Sequence, residues 1–224
     1  LSAEAGDFVV TVAGPNAEAQ IAGRGSGVAR WSVDHYARVT TIDVGGGTAN
    51  AAVFTMGRHV SSSALAVGGR QIEIDASGRI RRMPPPGRAL VADLGLDLRE
   101  GDTATLADLR RVADLMADLL ADLATGVAVT IPGIQLTPPL TGTDRSTSLF
   151  FTGGIGACYD EQTPSATLAE VAVHGDIGPL LADAMRRNPR LQALGIQRAP
   201  ETRQATVLGA ASQTVTLSGS TIWA

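Results

Sequence analysis

The residues best suited by type and spacing to do chemistry are Asp43, Gly45, Gly46, Gly47 and Thr48, inside the stretch Arg38–Phe54 (RVTTIDVGGGTANAAVF). Three successive residues without a Cβ let backbone N–H groups face one point, and a concave set of amides binds anions. Asp43 adds a carboxylate beside that cradle and Thr48 a hydroxyl. Together they suit a Mg²⁺–nucleotide, since Mg²⁺ takes oxygen ligands and keeps several waters. The blander alternative is a tight hairpin with a polar tip, the commoner outcome for a lone glycine-rich turn. The second informative stretch is Leu149–Gly156 (LFFTGGIG). Backbone bare of side chains at Gly153, Gly154 and Gly156 lets a flat ring or a phosphate lie directly on it. An ordinary strand-to-helix turn has the same composition.

Other chemistries find less support. No Gly-x-Ser-x-Gly elbow is present. The glycine triplet is not followed by Gly-Lys-Ser/Thr, which excludes a Walker A loop. It leads into a strand rather than a helix, which weakens a dinucleotide-binding reading. His35, His59 and His174 stand apart from any motif partner and read as surface or satisfied histidines. Cys158 follows the second glycine cluster, but with no His or Lys nearby it reads as a buried, inert thiol. Asp114, Asp118 and Asp122 recur every four residues and read as a solvated helix face rather than a metal-attracting ridge.

The elements that must position these residues follow from periodicity. Val39–Val44 and Ala49–Thr55 are β-branched or apolar runs joined by the glycine turn, which makes a hairpin. His59–Val67 and Gln71–Asp75 extend it into an antiparallel meander. Met83–Gly87, with three consecutive prolines, reads as a surface loop. Thr105–Ala124 is the clearest helix, with apolar side chains at intervals of three and four and capping-box spacing from Thr105 to Asp108. Leu149–Thr152 is a short buried strand, and Asp176 caps a helix that holds Pro179 in its first turn and runs through Arg187. Toward the ends, Phe8–Ala13 is a strand candidate and Ala17–Ala22 a short helix. Arg24–Gly27 reads as a flexible connector, and Val28–Tyr36 leads into the hairpin. Glu201–Thr214 reads as a last helix and Val215–Trp223 as a tail pairing at a sheet edge.

Composition bounds the answer. The 224 residues suffice for one large domain or two small lobes. A net charge of −4 offers no basic field for nucleic acid, and the Arg79–Arg82 cluster reads as a solvated loop. The single cysteine allows no internal disulfide, which fits a reducing, cytoplasmic setting. No apolar run approaches the ~20 residues of a membrane span. The chain opens without Met, and Ser2–Asp7 reads as the middle of something longer.

Taken together, the two glycine sites carry a resemblance. Ile42–Thr48 (IDVGGGT) resembles the second phosphate motif of the actin, Hsp70 and sugar-kinase superfamily, and Phe151–Gly156 its adenosine motif. More narrowly, the chain resembles the ethanolamine ammonia-lyase reactivating factors, the EutA family. The matching stretches are Gly6–Val10, Ala13–Pro15, Ile21–Gly23, the hairpin, Val67–Arg70, Asp176–Leu181, Pro189–Leu191 and the tail Thr216–Trp223. The resemblance implies an α/β, actin-like (ribonuclease H-like) ATPase lobe. Its mixed sheet would carry an N-terminal antiparallel meander and flanking helices. Residues 1–36 would be the remnant of a preceding lobe and connector, and residues 37–224 the second lobe.

The implied function is ATP-dependent and chaperone-like, freeing adenosylcobalamin-dependent ethanolamine ammonia-lyase of damaged cobalamin. ATP or ADP and Mg²⁺ would be the cofactors, and the lyase the partner, with no nucleic acid and no membrane. The setting would be cytoplasmic, compatible with a bacterial ethanolamine microcompartment. Asp43 would face the Mg²⁺–phosphate as the catalytic and metal-facing carboxylate. Gly45–Thr48 would hold phosphates, and Gly153, Gly154 and Gly156 would meet the adenosine. No lysine clamp is expected from this lobe.

Three departures from the superfamily pattern bear on hydrolysis. The Asp-x-Gly-Thr-Thr motif of a first lobe is absent. Asn50 stands where chaperone relatives carry Asp, and Gly14-Pro15 stands where Hsp70-type connectors carry Glu-Pro. Glu18 is the nearest replacement for the lost water-orienting carboxylate. A sugar-kinase-type phosphotransferase and a non-catalytic actin-like scaffold lobe remain the alternatives.

Overall fold

A computed structural model describes residues 15–202 together with Ala205, Leu208 and Gly209. The expected strand at Phe8–Ala13 and the tail Val215–Trp223 lie outside the described residues. So does most of the last helix, of which Ala205, Leu208 and Gly209 are helical.

The chain begins with two helices, α1 (Pro15–Gly25) and α2 (Val28–Asp34). The meander follows: β1 (Arg38–Val44), β2 (Ala49–Thr55) and β3 (Arg58–Leu65). A two-stranded ribbon, β4 (Glu73–Ile74) with β5 (Ile80–Arg82), leads to α3 (Pro85–Asp93) and the long α4 (Leu106–Thr125). The chain then returns through β6 (Ser148–Thr152) directly into α5 (Gly153–Asp160). It continues with α6 (Leu168–Val171), α7 (Gly178–Arg187), α8 (Pro189–Gln192) and β7 (Ile196–Arg198).

The main sheet has the order β3-β2-β1-β6-β7. Short glycine turns allow only antiparallel pairing among β1, β2 and β3, and their register runs from Arg38↔Thr55 to Val44↔Ala49. The long excursion through α3 and α4 lets β6 lie parallel to β1, and β7 lies parallel to β6. This is the α/β, mixed-sheet arrangement expected, with its N-terminal antiparallel meander.

Both faces of the sheet are covered, which is why β1, β2 and β6 are buried almost throughout. The two-residue period divides them cleanly. Ile42, Val44, Ala51, Val53, Leu149 and Phe151 face one core, shared with Leu109, Met116 and Leu120 of α4 and Leu180, Leu181 and Met185 of α7. Val39, Ala52, Phe54 and Phe150 face the other core, with Ala19, Val28 and Ala29 of α1 and α2. Helix α1 can sit this low because Gly23 lies on the Phe54 ring, where a Cβ would come within 2.3 Å.

Helix α4 matches its sequence pattern. The Thr105 hydroxyl accepts from the Asp108 amide, and Gly126, at φ 75°, closes the other end.

Five expectations need correction. Gln71–Asp75 does not extend the meander, since only Glu73 and Ile74 are strand and they pair with β5 in a separate ribbon. The proline run is not a loop throughout, because Pro85 and Pro86 open α3. The first helical turn has no amide to lose, so proline fits there. The stretch Arg24–Tyr36 is not a connector and lead-in but the end of α1 and all of α2. The Arg79–Arg82 cluster is not a free loop, since Arg81 pairs with Asp75 and Arg82 with Glu73 along the ribbon. The acidic ridge of α4 is not a purely solvated face. Asp114 pairs with Arg187, Asp122 with Arg190, and Asp118 accepts from the Asn188 amide at 2.8 Å. Sequence periodicity could not show this, because the partners lie about 70 residues away, on α7, α8 and the residue between them.

Candidate functional site

Strands β1 and β6 are parallel, so their C-terminal ends share one rim. Asp43 is in register with Thr152. The Thr152 hydroxyl donates to Asp43 Oδ1 at 2.8 Å. The next residue, Gly153, has φ +82°, and a Cβ there would lie 2.5 Å from the Val44 carbonyl oxygen and 2.8 Å from Asp43 Oδ1. The two glycine bends therefore start from adjacent strand ends and touch each other.

The Gly45–Thr48 turn is closed by the Gly45 amide on the Thr48 carbonyl at 2.9 Å. The segment after β3 then crosses over it. The Gly69 amide donates to the Gly45 carbonyl at 3.3 Å, the Arg70 amide to the Gly46 carbonyl at 2.7 Å, and the Gln71 side-chain amide to the Gly47 carbonyl at 2.6 Å. Gly68 permits this approach, since a Cβ there would stand 2.5 Å from both the Gly45 and the Gly46 oxygens. All three carbonyls are thus tied back, while the Gly46 and Gly47 amides make no hydrogen bond among the described residues. Unbonded amide donors beside tied carbonyls are what an anion cradle is built from.

Three glycines on this rim are not required by the fold. Gly45, Gly47 and Gly154 have backbone conformations open to any residue. A Cβ at Gly47 or Gly154 would meet nothing within 4 Å, and one at Gly45 would meet only the Thr48 oxygen, at 3.7 Å. Gly156 differs. It is buried, and a Cβ there would press on the Phe151 carbonyl carbon at 3.0 Å, so it serves the packing of α5 on β6. Of the three glycines expected at an adenosine, Gly154 is the exposed one.

A cleft of ≈ 300 Å³ opens between the bends, walled by Gly45, Gly46, Arg70, Gly154, Cys158 and Asp176. Asp176 is buried, and its carboxylate accepts from the Gly178 amide at 2.7 Å. Gly69 and Gly178 approach so closely that a Cβ on either would fall within 2.8 Å of Asp176 Oδ1. That explains why Gly69 and the Gly178 of the Asp-Ile-Gly-Pro stretch lack side chains. Burial pushes the Asp176 carboxyl above its ordinary range, opposed by the Gly178 amide and by the positive charges of His174 and Arg70. As the sequence suggested, Asp176 serves the start of α7, although Ile177 is the capping position itself.

Glu18, on α1, reaches the same rim indirectly. The Asn50 side-chain amide lies 3.5 Å from Glu18 Oε2 and 3.2 Å from the Thr48 hydroxyl, bridging them. The Asn50 and Gln71 side-chain oxygens are buried without a hydrogen-bond partner. The structure therefore gathers Asp43, Gly45, Gly46, Gly47, Thr48, Gly153 and Gly154 at one rim, brings Glu18 to it through Asn50, and sets Gly156 beneath it.

Arg70 and Gln71 join the site without having been anticipated. Gly68-Gly69 reads naturally as the end of a strand, and the available signal was a charged residue directly after a glycine pair. The histidines are not brought together. His35 stacks on Trp31, His59 lies beside Phe54 with its pKa lowered by burial, and His174 stands at the cleft. Among the described residues no group of three or more His, Cys, Asp or Glu side chains could hold a metal, and no helix is long and apolar enough to cross a membrane.

The family model described as "Ethanolamine utilisation protein EutA" matches residues 1–224. Two relatives called ethanolamine ammonia-lyase reactivase EutA, from Salmonella typhimurium (strain LT2) and Escherichia coli (strain K12), are each 39% identical over 227 residues. The match covers all of this chain and 47% of each relative, so the chain spans about half their length. Among solved structures, ethanolamine utilization protein EutJ from Carboxydothermus hydrogenoformans aligns at 16% identity with a TM-score of 0.40, over 87% of this chain and 52% of that one. On the family match along its whole length, the chain belongs to the EutA family of ethanolamine utilisation proteins.

Proposed function

We propose that this chain is the second nucleotide-binding lobe of an ATP-dependent factor that reactivates ethanolamine ammonia-lyase by releasing damaged cobalamin. The relatives' name supports the reactivating role. The observation that carries the nucleotide reading is the contact between the two glycine bends, with the turn carbonyls tied back and the Gly46 and Gly47 amides unbonded among the described residues.

The residues fit Mg²⁺–ATP on three counts. Gly45, Gly47 and Gly154 leave room the fold does not need. Asp43 provides a carboxylate at the turn, and buried, unpartnered acceptors sit at Asn50 and Gln71. A single carboxylate is enough for Mg²⁺, which usually takes one or two carboxylates plus substrate phosphates and waters. Bound Mg²⁺–ATP would supply a phosphoanhydride whose cleavage drives a conformational change. The amides of Gly46, Gly47 and Thr48 hold phosphate oxygens. Asp43, oriented by Thr152, faces the metal side. The bare surface at Gly154 takes the nucleoside. Glu18, held by Asn50, orients water toward the phosphates. Residues 37–224 are the lobe itself, and the preceding residues belong to the connector and a first lobe that completes the cleft.

The test uses the intact protein with ethanolamine ammonia-lyase inactivated by a cobalamin lacking its adenosyl group. Activity returns on adding adenosylcobalamin, ATP and Mg²⁺, and does not return with the Asp43→Asn variant. Recovery that is equally fast without nucleotide, or absence of any complex between the two proteins, overturns the proposal.

A further inference from the structure

Among the described residues Arg70 is the cation set against the glycine turn, and the proposed function leaves it without a role. Its guanidinium lies against Gly46: a Cβ on that glycine would collide with Arg70 Nε and stand 2.8 Å from Cζ. Its backbone is fixed to the same residue, through the 2.7 Å hydrogen bond to the Gly46 carbonyl. The side chain is exposed and borders the cleft. It makes no ion pair or side-chain hydrogen bond among the described residues. Asp176, the carboxylate it faces, is buried, committed to the Gly178 amide and shifted toward its neutral form. A guanidinium carries five donors in a rigid fork that matches phosphate oxygens.

Three independent features converge here. The guanidinium occupies the space a Cβ at Gly46 would take. The Gly46 and Gly47 amides, unbonded among the described residues, belong to the same turn. Its acidic neighbour is already occupied. We infer that Arg70 reads the charge of the polyphosphate bound at the Gly45–Thr48 turn, and so supplies from within this lobe the cation that a lysine clamp would otherwise provide. The role is one of specificity: it separates nucleoside triphosphate from ligands with fewer phosphates. It rests on the nucleotide reading given above.

The experiment is calorimetric titration of the intact protein, in Mg²⁺, with ATP and with AMP. Wild type, Arg70→Gln and Arg70→Lys are compared, with thermal unfolding run on each. Loss of a bidentate charged contact weakens ATP binding about tenfold or more. Lysine restores part of that loss, because it keeps the charge and loses the fork. AMP binding changes much less, and the unfolding temperature stays put because the side chain is exposed. Arg70→Gln binding ATP within twofold of wild type overturns the inference and leaves the nucleotide reading intact. Equal loss for ATP and AMP also overturns it, since that marks a packing role for Arg70 on Gly46. Wild type failing to bind ATP at all overturns both.

Discussion

Gly153 and Gly154 are neighbours in sequence that lack side chains for opposite reasons, and the contrast can be measured. Alanine at position 153 must adopt φ +82°. The left-handed region costs a residue with a Cβ about 1–2 kcal/mol. The added methyl would also sit 2.5 Å from the Val44 oxygen, in the adjacent strand. Forcing an atom into filled space costs about 1–3 kcal/mol. The sum for Gly153→Ala is about 2–5 kcal/mol. Alanine at position 154 meets nothing within 4 Å and lies in α5. There alanine is favoured over glycine by up to about 1 kcal/mol. Urea unfolding of the intact protein, followed by circular dichroism, separates the two. With a slope of about 2 kcal/mol/M, Gly153→Ala lowers the midpoint of this lobe by about 1–2.5 M, and Gly154→Ala leaves it unchanged or raises it by about 0.5 M. ATP titration then reverses the order of damage, since the stable Gly154→Ala variant places a methyl where the nucleoside is proposed to lie. Equal midpoints for the two variants would refute the contact between the bends.

Further outcomes follow from the same geometry. Asp176→Asn keeps an oxygen to accept from the Gly178 amide and removes a charge that burial penalises. Because the folded carboxyl is raised above its ordinary 3.8, its contribution to stability is full below that value and is lost as pH rises through the folded pKa. Unfolding temperatures measured from pH 4 to 7 therefore fall less steeply toward neutrality in Asp176→Asn than in wild type, and an unchanged slope contradicts the assignment. Asn188→Ala removes the side chain that accepts from the Arg190 and Leu191 amides and donates to Asp118, for an expected loss of about 1–2 kcal/mol by denaturant titration. Thr105→Ala removes the N-cap of α4 and costs about 1 kcal/mol in the same assay. Glu18→Gln keeps the partner for Asn50, so ATP affinity holds within twofold while steady-state phosphate release slows.

The parts of the fold legible in the sequence were those written in local spacing. The meander shows in alternating β-branched runs broken by glycine, and α4 in its three-and-four stripe with Thr105 and Gly126 at its ends. What local spacing could not show was pairing over distance. The carboxylates of α4 read as solvent-facing because Arg187, Asn188 and Arg190 arrive only through the packing of α7 and α8. The proline run read as loop because its composition does not say which proline starts the next helix. At the site, the two bends were visible as missing side chains, but a missing side chain has several causes. Gly153 accommodates a neighbouring strand, Gly156 a helix–strand contact, and Gly46 the guanidinium of Arg70. Only Gly45, Gly47 and Gly154 are bare without an internal reason. Arg70 itself was hidden because its partner is a backbone surface, which leaves no mark in residue spacing.

The most direct test of the nucleotide site is a crystal structure of the intact protein with Mg²⁺ and a non-hydrolysable ATP analogue. The predicted result is phosphate density against the amides of Gly46, Gly47 and Thr48, with the nucleoside over Gly154. Density for the analogue elsewhere on the lobe, with the Gly45–Thr48 turn bare at saturating ligand, would contradict it.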